Sequence, residues 1–562
     1  MNFIYNKKLI LLLSISRLIF AELNLVLTER QICDLELLMV GGYKPLNNFM
    51  SQADYNLVLT SMHLENGEVF PLPIILDVNE KTKLGLEKDS SSLLILKDQE
   101  GFTLAKLKVT EIWAPDKSVE ADLVYGTNNI EHPGVSYLMK KTGEYYVSGD
   151  LEFCMHPKYY DFNNLRLTPK DLKEHFAKLG IEKIVAFQTR NPMHRAHKEL
   201  VSRAAQQIGA HALIHPVVGP TKPGDVDYVT RVRCYKHIIN QFDAADATLA
   251  LLPYSMRMAG PREAVMHAII RKNYGATHFI VGRDHAGPGK DSSGIPFYMP
   301  YAAQELAKEV EKEIGIEIVP FQEMVYVQNK NIYKQVNELK SDDIAMSISG
   351  TELREILANG SEIPDWFTYQ DVALELRKVY PDKKSQGVTI FFTGLSSSGK
   401  STLANALAQR LASIQDRRIT LLDGDKVRHY LSSELGFSKE HRSLNVRRVG
   451  FVSSEITKNG GIAICALIAP YEQDRLHNRQ IIGANGGYLE VFVSTSLEEC
   501  EKRDVKGLYK LARAGKIPQF TGISDPYETP SRAEIVIDAA TVSVEEAVDL
   551  IIQELKNNFF II

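Results

Sequence analysis

The segment Gly394-Leu395-Ser396-Ser397-Ser398-Gly399-Lys400-Ser401, directly after the apolar run at 388–392, limits what this chain can fold into more than any other stretch. The run reads as a buried strand, and Leu403, Ala406, Leu407 and Leu411 repeat at helical spacing beyond the loop. Strand, glycine-bounded turn and helix in that order leave free backbone N–H groups at a helix N-terminus, where they form a nest for phosphate oxygens. Lys400 adds a positive charge for the β and γ phosphates, and the Ser401 hydroxyl is placed to bind Mg²⁺. This part of the chain is expected to bind a nucleoside triphosphate. The loop begins nearly four hundred residues in, so a larger and different unit precedes it.

A chain of 562 residues exceeds one core and should hold about three or four domains. With 44% hydrophobic and 24% charged residues there is no room for extensive disorder. The net charge of −5 gives no basic footprint, so a nucleic-acid partner is not expected and local basic clusters must serve small anions. Cys33, Cys154, Cys234, Cys465 and Cys500 show no paired spacing, which argues against zinc and for a reduced, cytoplasmic protein. Lys7-Lys8 followed by the apolar stretch 9–20 and Ala21 has the outline of a secretory signal. Arg17 interrupts it, and it is too short to span a bilayer. Because nucleotide chemistry belongs where ATP is available, residues 1–21 are expected to form a helix packed on the first domain, with no membrane association.

Organisation follows from periodicity and punctuation. Between about 55 and 150 the pattern is β-like, with strands expected at 69–77, 92–97 and 102–112. From about 166 to 325 strands alternate with helices: a strand at 184–187, a helix at 192–208 closed by Gly209, a strand at 278–281, and Gly315 before a strand at 316–319. Such alternation indicates a parallel α/β sheet with ligands at the carboxyl ends of its strands. Residues 326–384 are mixed and polar, and Lys383-Lys384-Ser385-Gln386-Gly387 reads as a linker. The expected domains are 1–165, 166–325, 326–384 and 385–562.

One candidate site is Gln188-Thr189-Arg190-Asn191-Pro192-Met193-His194-Arg195-Ala196-His197, at a strand end and helix start. Asn191 can cap the helix and Pro192 suits its first position, which puts His194 and His197 on one face. With Arg190 they can neutralise charge developing on a triphosphate, and no third ligand for zinc is evident. The loop Gly282-Arg283-Asp284-His285-Ala286-Gly287-Pro288-Gly289 and the helix opening Gly260-Pro261-Arg262-Glu263, with Arg257 before it, complete an anion-rich nucleotide site. A second site surrounds the phosphate loop. A strand at 419–422 ends in Asp423-Gly424-Asp425-Lys426-Val427-Arg428, where a carboxylate can hold Mg²⁺ or accept a hydroxyl proton. Phe437 and Phe520 are flanked by glycines and polar residues, as rings placed against a ligand are, and Lys510, Arg513 and Lys516 suggest a basic lid.

At these residues the chain resembles known families. Segments 188–197, 256–263 and 282–289 are similar to the motifs of ATP sulfurylase (sulfate adenylyltransferase). So are Arg30-Gln31-Ile32-Cys33-Asp34-Leu35-Glu36-Leu37-Leu38 with Gly41-Gly42 and Pro45-Leu46, and His132-Pro133-Gly134-Val135; the resemblance runs from about 22 to 365. It implies an N-terminal β-rich PUA-like barrel, a Rossmann-like nucleotidylyltransferase domain and a small connector. It also implies that Gln188, Arg190 and the Ala286 backbone bind sulfate, with Thr189, Arg190 and Asn191 in the active site and His194 and His197 stabilising the transition state. ATP would meet Gln188, Thr189, Arg190, Asn191, Gly282, Arg283, Asp284, His285 and Val325.

Residues 387–562 resemble APS kinase (adenylylsulfate kinase; APS is adenosine 5′-phosphosulfate), a P-loop NTPase fold. The resemblance assigns ATP to Gly394, Leu395, Ser396, Ser397, Ser398, Gly399, Lys400, Ser401 and Thr402. It assigns APS to Asp425, Arg428, Phe437, Arg442, Asn445, Ile468, Ala469, Lys506, Phe520 and Thr521, with the two phenylalanines sandwiching adenine. Asp423 and Asp425 would be catalytic, and Ser401 with Asp423 would hold Mg²⁺. Two departures stand out: Ser397 where the family usually has glycine, and Ala469 in place of a serine that some members phosphorylate. The combined expectation is an α/β multidomain, homo-oligomeric enzyme making APS from sulfate and ATP, then 3′-phosphoadenosine 5′-phosphosulfate (PAPS) from APS and a second ATP. The alternative is a sulfurylase whose C-terminal part only binds PAPS as a regulatory module, as in some fungal relatives with this domain order that have lost the phosphate loop.

Overall fold

The computed structural model of the chain describes residues 23–88, 92–243, 246–558 and 560–561; the segment 1–21, expected to be a packed helix, lies outside them. Two compact units are formed, Met1–Ser349 with Ile363–Leu376, and Gly350–Glu362 with Arg377–Ile562. Among the described residues no helix is long and apolar enough to cross a membrane.

The first unit opens with a sheet of β1 (Leu23–Val26), β2 (Leu76–Val78), β3 (Leu93–Lys97), β4 (Thr103–Trp113) and β5 (Tyr145–Phe153), in the order β1-β3-β4-β5-β2. The strands expected at 92–97 and 102–112 are β3 and β4, but the one expected at 69–77 survives only as β2. Pro71 and Pro73 have no N–H to give to a ladder, so before residue 76 the chain makes only an isolated bridge, Val69 with His63. The helix Glu29–Val40 is fixed at both ends, by a Thr28–Gln31 capping box and by Gly41 at φ +76°. His132 caps the helix Pro133–Lys140, its Nδ1 accepting from the Gly134 N–H at 3.1 Å.

Next comes an all-parallel sheet of β6 (Ile184–Phe187), β7 (His211–Ile214), β8 (Ala247–Leu249), β9 (His278–Val281) and β10 (Glu317–Pro320), in the order β10-β9-β6-β7-β8. Every residue of β6 and β7 is buried, as expected of strands covered on both faces. Its helices include α1 (Arg195–Ile208), α2 (Tyr228–Ile239) and α3 (Gly260–Asn273). From β6 the chain winds outward through β7 and β8, then returns to lay β9 on the other side of β6. That reversal opens a crevice at the carboxyl ends of β6 and β9. A small antiparallel sheet follows, β12-β11-β13, from β11 (Met324–Val327), β12 (Ile332–Gln335) and β13 (Ala345–Met346).

The second unit is built on a parallel sheet of β14 (Val388–Thr393), β15 (Ile419–Asp423), β16 (Ile462–Ala466), β17 (Gly487–Val493) and β18 (Ile535–Ile537), ordered β15-β16-β14-β17-β18. All six residues of β14 are buried. Helices α4 (Lys400–Ile414), α5 (Gly424–Leu431), α6 (Lys439–Lys458) and α7 (Leu508–Arg513) surround the phosphate loop. The apolar repeat read from the sequence is the inner face of α4: Leu403, Leu407 and Leu411 are buried in one cluster with Val388, Ile390 and Phe392. Truncating a fully buried leucine costs about 2–5 kcal/mol. Leu407→Ala should therefore lower the melting transition of this unit in calorimetry, and an unchanged trace would mean that α4 does not depend on this packing.

Candidate active sites

In the first unit the loop after β6 turns sharply. The Thr189 Oγ1 accepts from the Asn191 N–H at 3.1 Å, and the buried Gln188 amide donates to the Met256 Sδ at 3.8 Å. Arg190 bridges the two loops at the crevice. Its Nη1 donates to both carboxylate oxygens of Asp225 at 3.1 Å, and its Nη2 to the Gly287 carbonyl at 3.1 Å. These bonds leave the Nε–H and at least one further donor of the guanidinium uncommitted. In the loop after β9, Ala286 is buried at φ +55° and its carbonyl accepts from the Gly260 N–H at 3.2 Å. The Asp284 carboxylate folds close over Gly287, where a Cβ would fall 1.8 Å from it and oblige that side chain to move.

The start of α1 departs from expectation. The helix begins at Arg195 with His194 as its cap, not at Pro192 with Asn191 capping. Asn191 precedes a proline, which disfavours helical backbone there, and its N–H is already taken by Thr189. Histidines 194 and 197 still come together, with ring centroids 5.9 Å apart. His197 Nδ1 accepts from the His194 N–H at 3.1 Å, which puts the His197 proton on Nε2. His194 Nδ1 meets the buried Thr368 hydroxyl at 3.0 Å, and Phe367 packs on its ring at 4.3 Å. Burial pushes His194 down to about 3 and His197 to about 4. Burial thus favours their neutral forms, which can still donate hydrogen bonds to a developing charge.

The other residues assigned to this site divide. Arg283 is half exposed and 3.4 Å from Glu323, and Asp284 is exposed beside it. His285 faces inward, its Nε2 2.9 Å from His267 Nδ1, and burial lowers it to about 3. Val325 is buried in β11.

In the second unit the phosphate loop holds three backbone angles that favour glycine, at Gly394 (φ +150°), Ser397 (φ +59°) and Gly399 (φ +111°). A Cβ on Gly394 would lie 2.5 Å from the Val493 carbonyl, so that position admits no side chain. Lys400 folds over its own loop, Nζ donating to the Leu395 carbonyl at 2.5 Å and lying 3.3 Å from Ser398 Oγ; burial lowers it to about 8. Ser401 Oγ donates to Asp423 Oδ2 at 2.6 Å, and Asp423 Oδ1 accepts from the Asp425 N–H at 3.1 Å. Lys506 pairs with Asp425. The Tyr509 hydroxyl, on α7, donates to the Ser396 carbonyl at 3.0 Å, tying that helix to the loop.

Further out, Arg428 lies over the Phe437 ring at 4.3 Å while Phe520 packs edge-on against Tyr509 at 5.0 Å. Arg442 donates to Thr521 Oγ1 at 2.6 Å and pairs with Asp525 at 2.7 Å. Asn445 is buried one helical turn along α6. Beside it, Ala469 is buried at φ +44°, with its carbonyl taken by Arg475 at 2.7 Å, and the Ile468 carbonyl accepts from Thr393 at 2.7 Å. Of the basic lid, Lys510 and Lys516 are exposed and Arg513 pairs with Glu501.

Family models match at 19–156 (PUA-like domain), 163–379 (ATP-sulfurylase) and 386–538 (adenylylsulphate kinase). A protein named sulfate adenylyltransferase from Mycosarcoma maydis is 51% identical over 537 residues, covering 95% of this chain and 94% of its own length. The chain belongs to the sulfate adenylyltransferase family. Another member, from Chaetomium globosum, is 50% identical over 534 residues, or 95% of this chain and 93% of the relative. A solved structure described as hexameric APS kinase from Thiobacillus denitrificans superposes with a TM-score of 0.77 at 34% identity, covering 97% of this chain and 96% of that one.

Within this family member, sequence reading missed Asp225, Arg231, Tyr235 and Thr368 around the first site, and Asp525 beside Arg442. None lies in a glycine-rich loop. The available signal was the i, i+4 spacing of Arg231 and Tyr235 behind Asp225, which any helix with one polar face also shows. The depressed histidines have a consequence for pH. Unfolded imidazoles titrate near 6.5, whereas His197 stays neutral down to about 4. Their stabilising contribution is complete above pH 6.5 and is lost as pH falls toward 4. Both tryptophans, Trp113 and Trp366, lie in the first unit, so fluorescence reports its unfolding alone. The urea midpoint should fall between about pH 7.5 and pH 5, and His197→Gln should shrink that fall; an undiminished fall would mean that His197 titrates normally.

Proposed function

We propose that this chain activates sulfate in two steps: sulfate and ATP give APS and pyrophosphate, then APS and a second ATP give PAPS and ADP. One observation carries the reading. Two anion sites of different build stand at the carboxyl ends of the central strands of two parallel sheets, one around Arg190 and one around Lys400. Sulfate is a weak nucleophile, so it must be held in line with the α-phosphorus. The uncommitted donors of Arg190, the Gln188 amide and the Ala286 backbone would hold it. Charge builds on the bridging and leaving oxygens, and fixed donors aimed there, Asn191 and the Nε2–H of His197 among them, would stabilise it. Thr189 shapes the turn that presents them, and Arg283, Asp284 and Val325 would contact the nucleotide.

In the second step the 394–402 loop cradles ATP, and Lys400 leaves the Leu395 carbonyl for the phosphates. The hydroxyl and carboxylate oxygens of Ser401 and Asp423, 2.6 Å apart, are a donor set that suits Mg²⁺. Magnesium bound with ATP neutralises charge across the phosphates. Asp425, with Lys506 beside it, would take the proton of the 3′-hydroxyl. Arg428, Arg442, Asn445, Lys506 and Thr521 would hold APS, with adenine between Phe437 and Phe520. The regulatory-module reading is not favoured, because Lys400, Ser401 and Asp423 are all in place. The reaction places the chain in the cytoplasm, and the relative described as hexameric supports assembly into a homo-oligomer.

Two outcomes test this. Arg190→Ala should abolish ATP formation from APS and pyrophosphate, a loss on the order of 3 kcal/mol or more in activation free energy. A folded variant turning over near the wild-type rate would remove Arg190 from the reaction. The second concerns coupling. APS holds a mixed phosphoric–sulfuric anhydride, so its formation runs uphill, and its phosphorylation draws the first step forward by mass action; each 1.4 kcal/mol of pull is about tenfold in product ratio. Given labelled sulfate, ATP and Mg²⁺, the intact chain should accumulate PAPS, whereas Lys400→Ala should stall at trace APS until pyrophosphatase is added. Wild-type protein that forms no PAPS from APS and ATP would favour the regulatory reading.

A further inference from the structure

The loop that carries Arg190 leaves β6 at the edge of the crevice, and its backbone carbonyls have no strand to accept them. A carbonyl oxygen facing a sulfate or phosphate would repel it. In this structure three successive carbonyls are instead turned onto one helix. Arg231 Nη1 donates to the Arg190 carbonyl at 3.0 Å. The Tyr235 hydroxyl donates to the Asn191 carbonyl at 2.7 Å and lies 3.5 Å from that of Thr189. Arg231 and Tyr235 are four apart on α2, so they form one face, and they are 2% and 1% exposed.

Charge is distributed to the same effect. Asp225, in the loop leading into α2, pairs with Arg190 and cancels its charge. Among the described residues no carboxylate lies within ion-pair distance of Arg231, and its buried Nε has no hydrogen-bond partner. The trio therefore carries one net positive charge, directly behind the loop. A buried cation with no carboxylate beside it favours an anion held nearby.

We infer that Arg231 and Tyr235 are positioning residues for the adenylyl transfer: they turn the carbonyls of residues 189–191 away from the anion, and Arg231 restores the charge that Asp225 cancels. This rests on the function proposed above for the first unit. Neither residue touches substrate; both act through the loop.

The test uses the full chain and sulfate-dependent pyrophosphate release. Tyr235→Phe removes one hydroxyl, and Arg231→Met removes the charge at similar volume. Each should lower kcat about tenfold to a hundredfold while KM for sulfate changes less than about threefold. Arg231→Lys should recover part of the Arg231→Met loss. In an Arg190→Lys background, Tyr235→Phe should cost less than about twofold more, because both changes act on the placement of one loop. General loosening of the fold would instead multiply the two losses, and that result would overturn the inference. So would wild-type kcat in both single variants when the wild-type chain is active. A wild-type chain with no sulfate-dependent turnover would overturn the function reading itself, and this inference with it.

Discussion

Strands β6 and β14 are paired on both sides by parallel neighbours and buried along their length. A parallel strand can be left only over its carboxyl end, so the chain must turn there with polar backbone groups unpaired. In both units the glycines, the short turns and the charged side chains collect at that point. The solutions differ. After β14, positive backbone angles at Gly394, Ser397 and Gly399 shape the loop itself, whereas after β6 the backbone carbonyls are bonded to α2, so that on the function proposed the backbone would serve one anion and side chains the other. Two anion sites thus arise from one topological constraint by opposite uses of the peptide.

Buried charge is the second theme. Arg257 Nη2 donates to both carboxylate oxygens of Asp34 at 2.7 and 2.5 Å with almost no exposure, and the Tyr43 hydroxyl donates to the same carboxylate at 2.8 Å. Removing one partner of such a pair leaves a charge without solvent, a loss of about 3–5 kcal/mol. The pair joins the helix Glu29–Val40 to the segment leading into α3, and so sets where the 282–289 loop meets Gly260. A contact made more than two hundred residues apart in sequence is therefore part of the frame that shapes the crevice.

Much of this was legible in the chain. Short buried strands such as 184–187 and 278–281 appear as read, because a central parallel strand is apolar without interruption. The phosphate loop and its helix were also legible, since glycine and lysine have few other reasons to stand at that spacing. The strand expected at 69–77 was not, because alternation was counted without weighing two prolines. The start of α1 was misplaced because local capping rules ignore a tertiary partner: the Arg195 N–H goes to the Phe367 carbonyl, 172 positions away, at 3.2 Å. The state of the histidines was out of reach for the same reason, as burial is a property of the fold and not of the motif. Asp225, Arg231 and Tyr235 were invisible because support for a loop comes from whatever helix lies behind it.

The lysine lying across its own phosphate loop bears on how quickly that site empties. When a spent nucleotide leaves an ordinary cation, the charge must wait for water to reorganise around it. Lys400 instead has a neutral acceptor within the loop, the Leu395 carbonyl at 2.5 Å, and on the function proposed it would pass from phosphate to carbonyl by a movement of one side chain. Departure would then be an exchange of partners for this amine. The same internal bond ties Lys400 to the loop it opens from, so on the function proposed one amine would serve both the loop and its nucleotide.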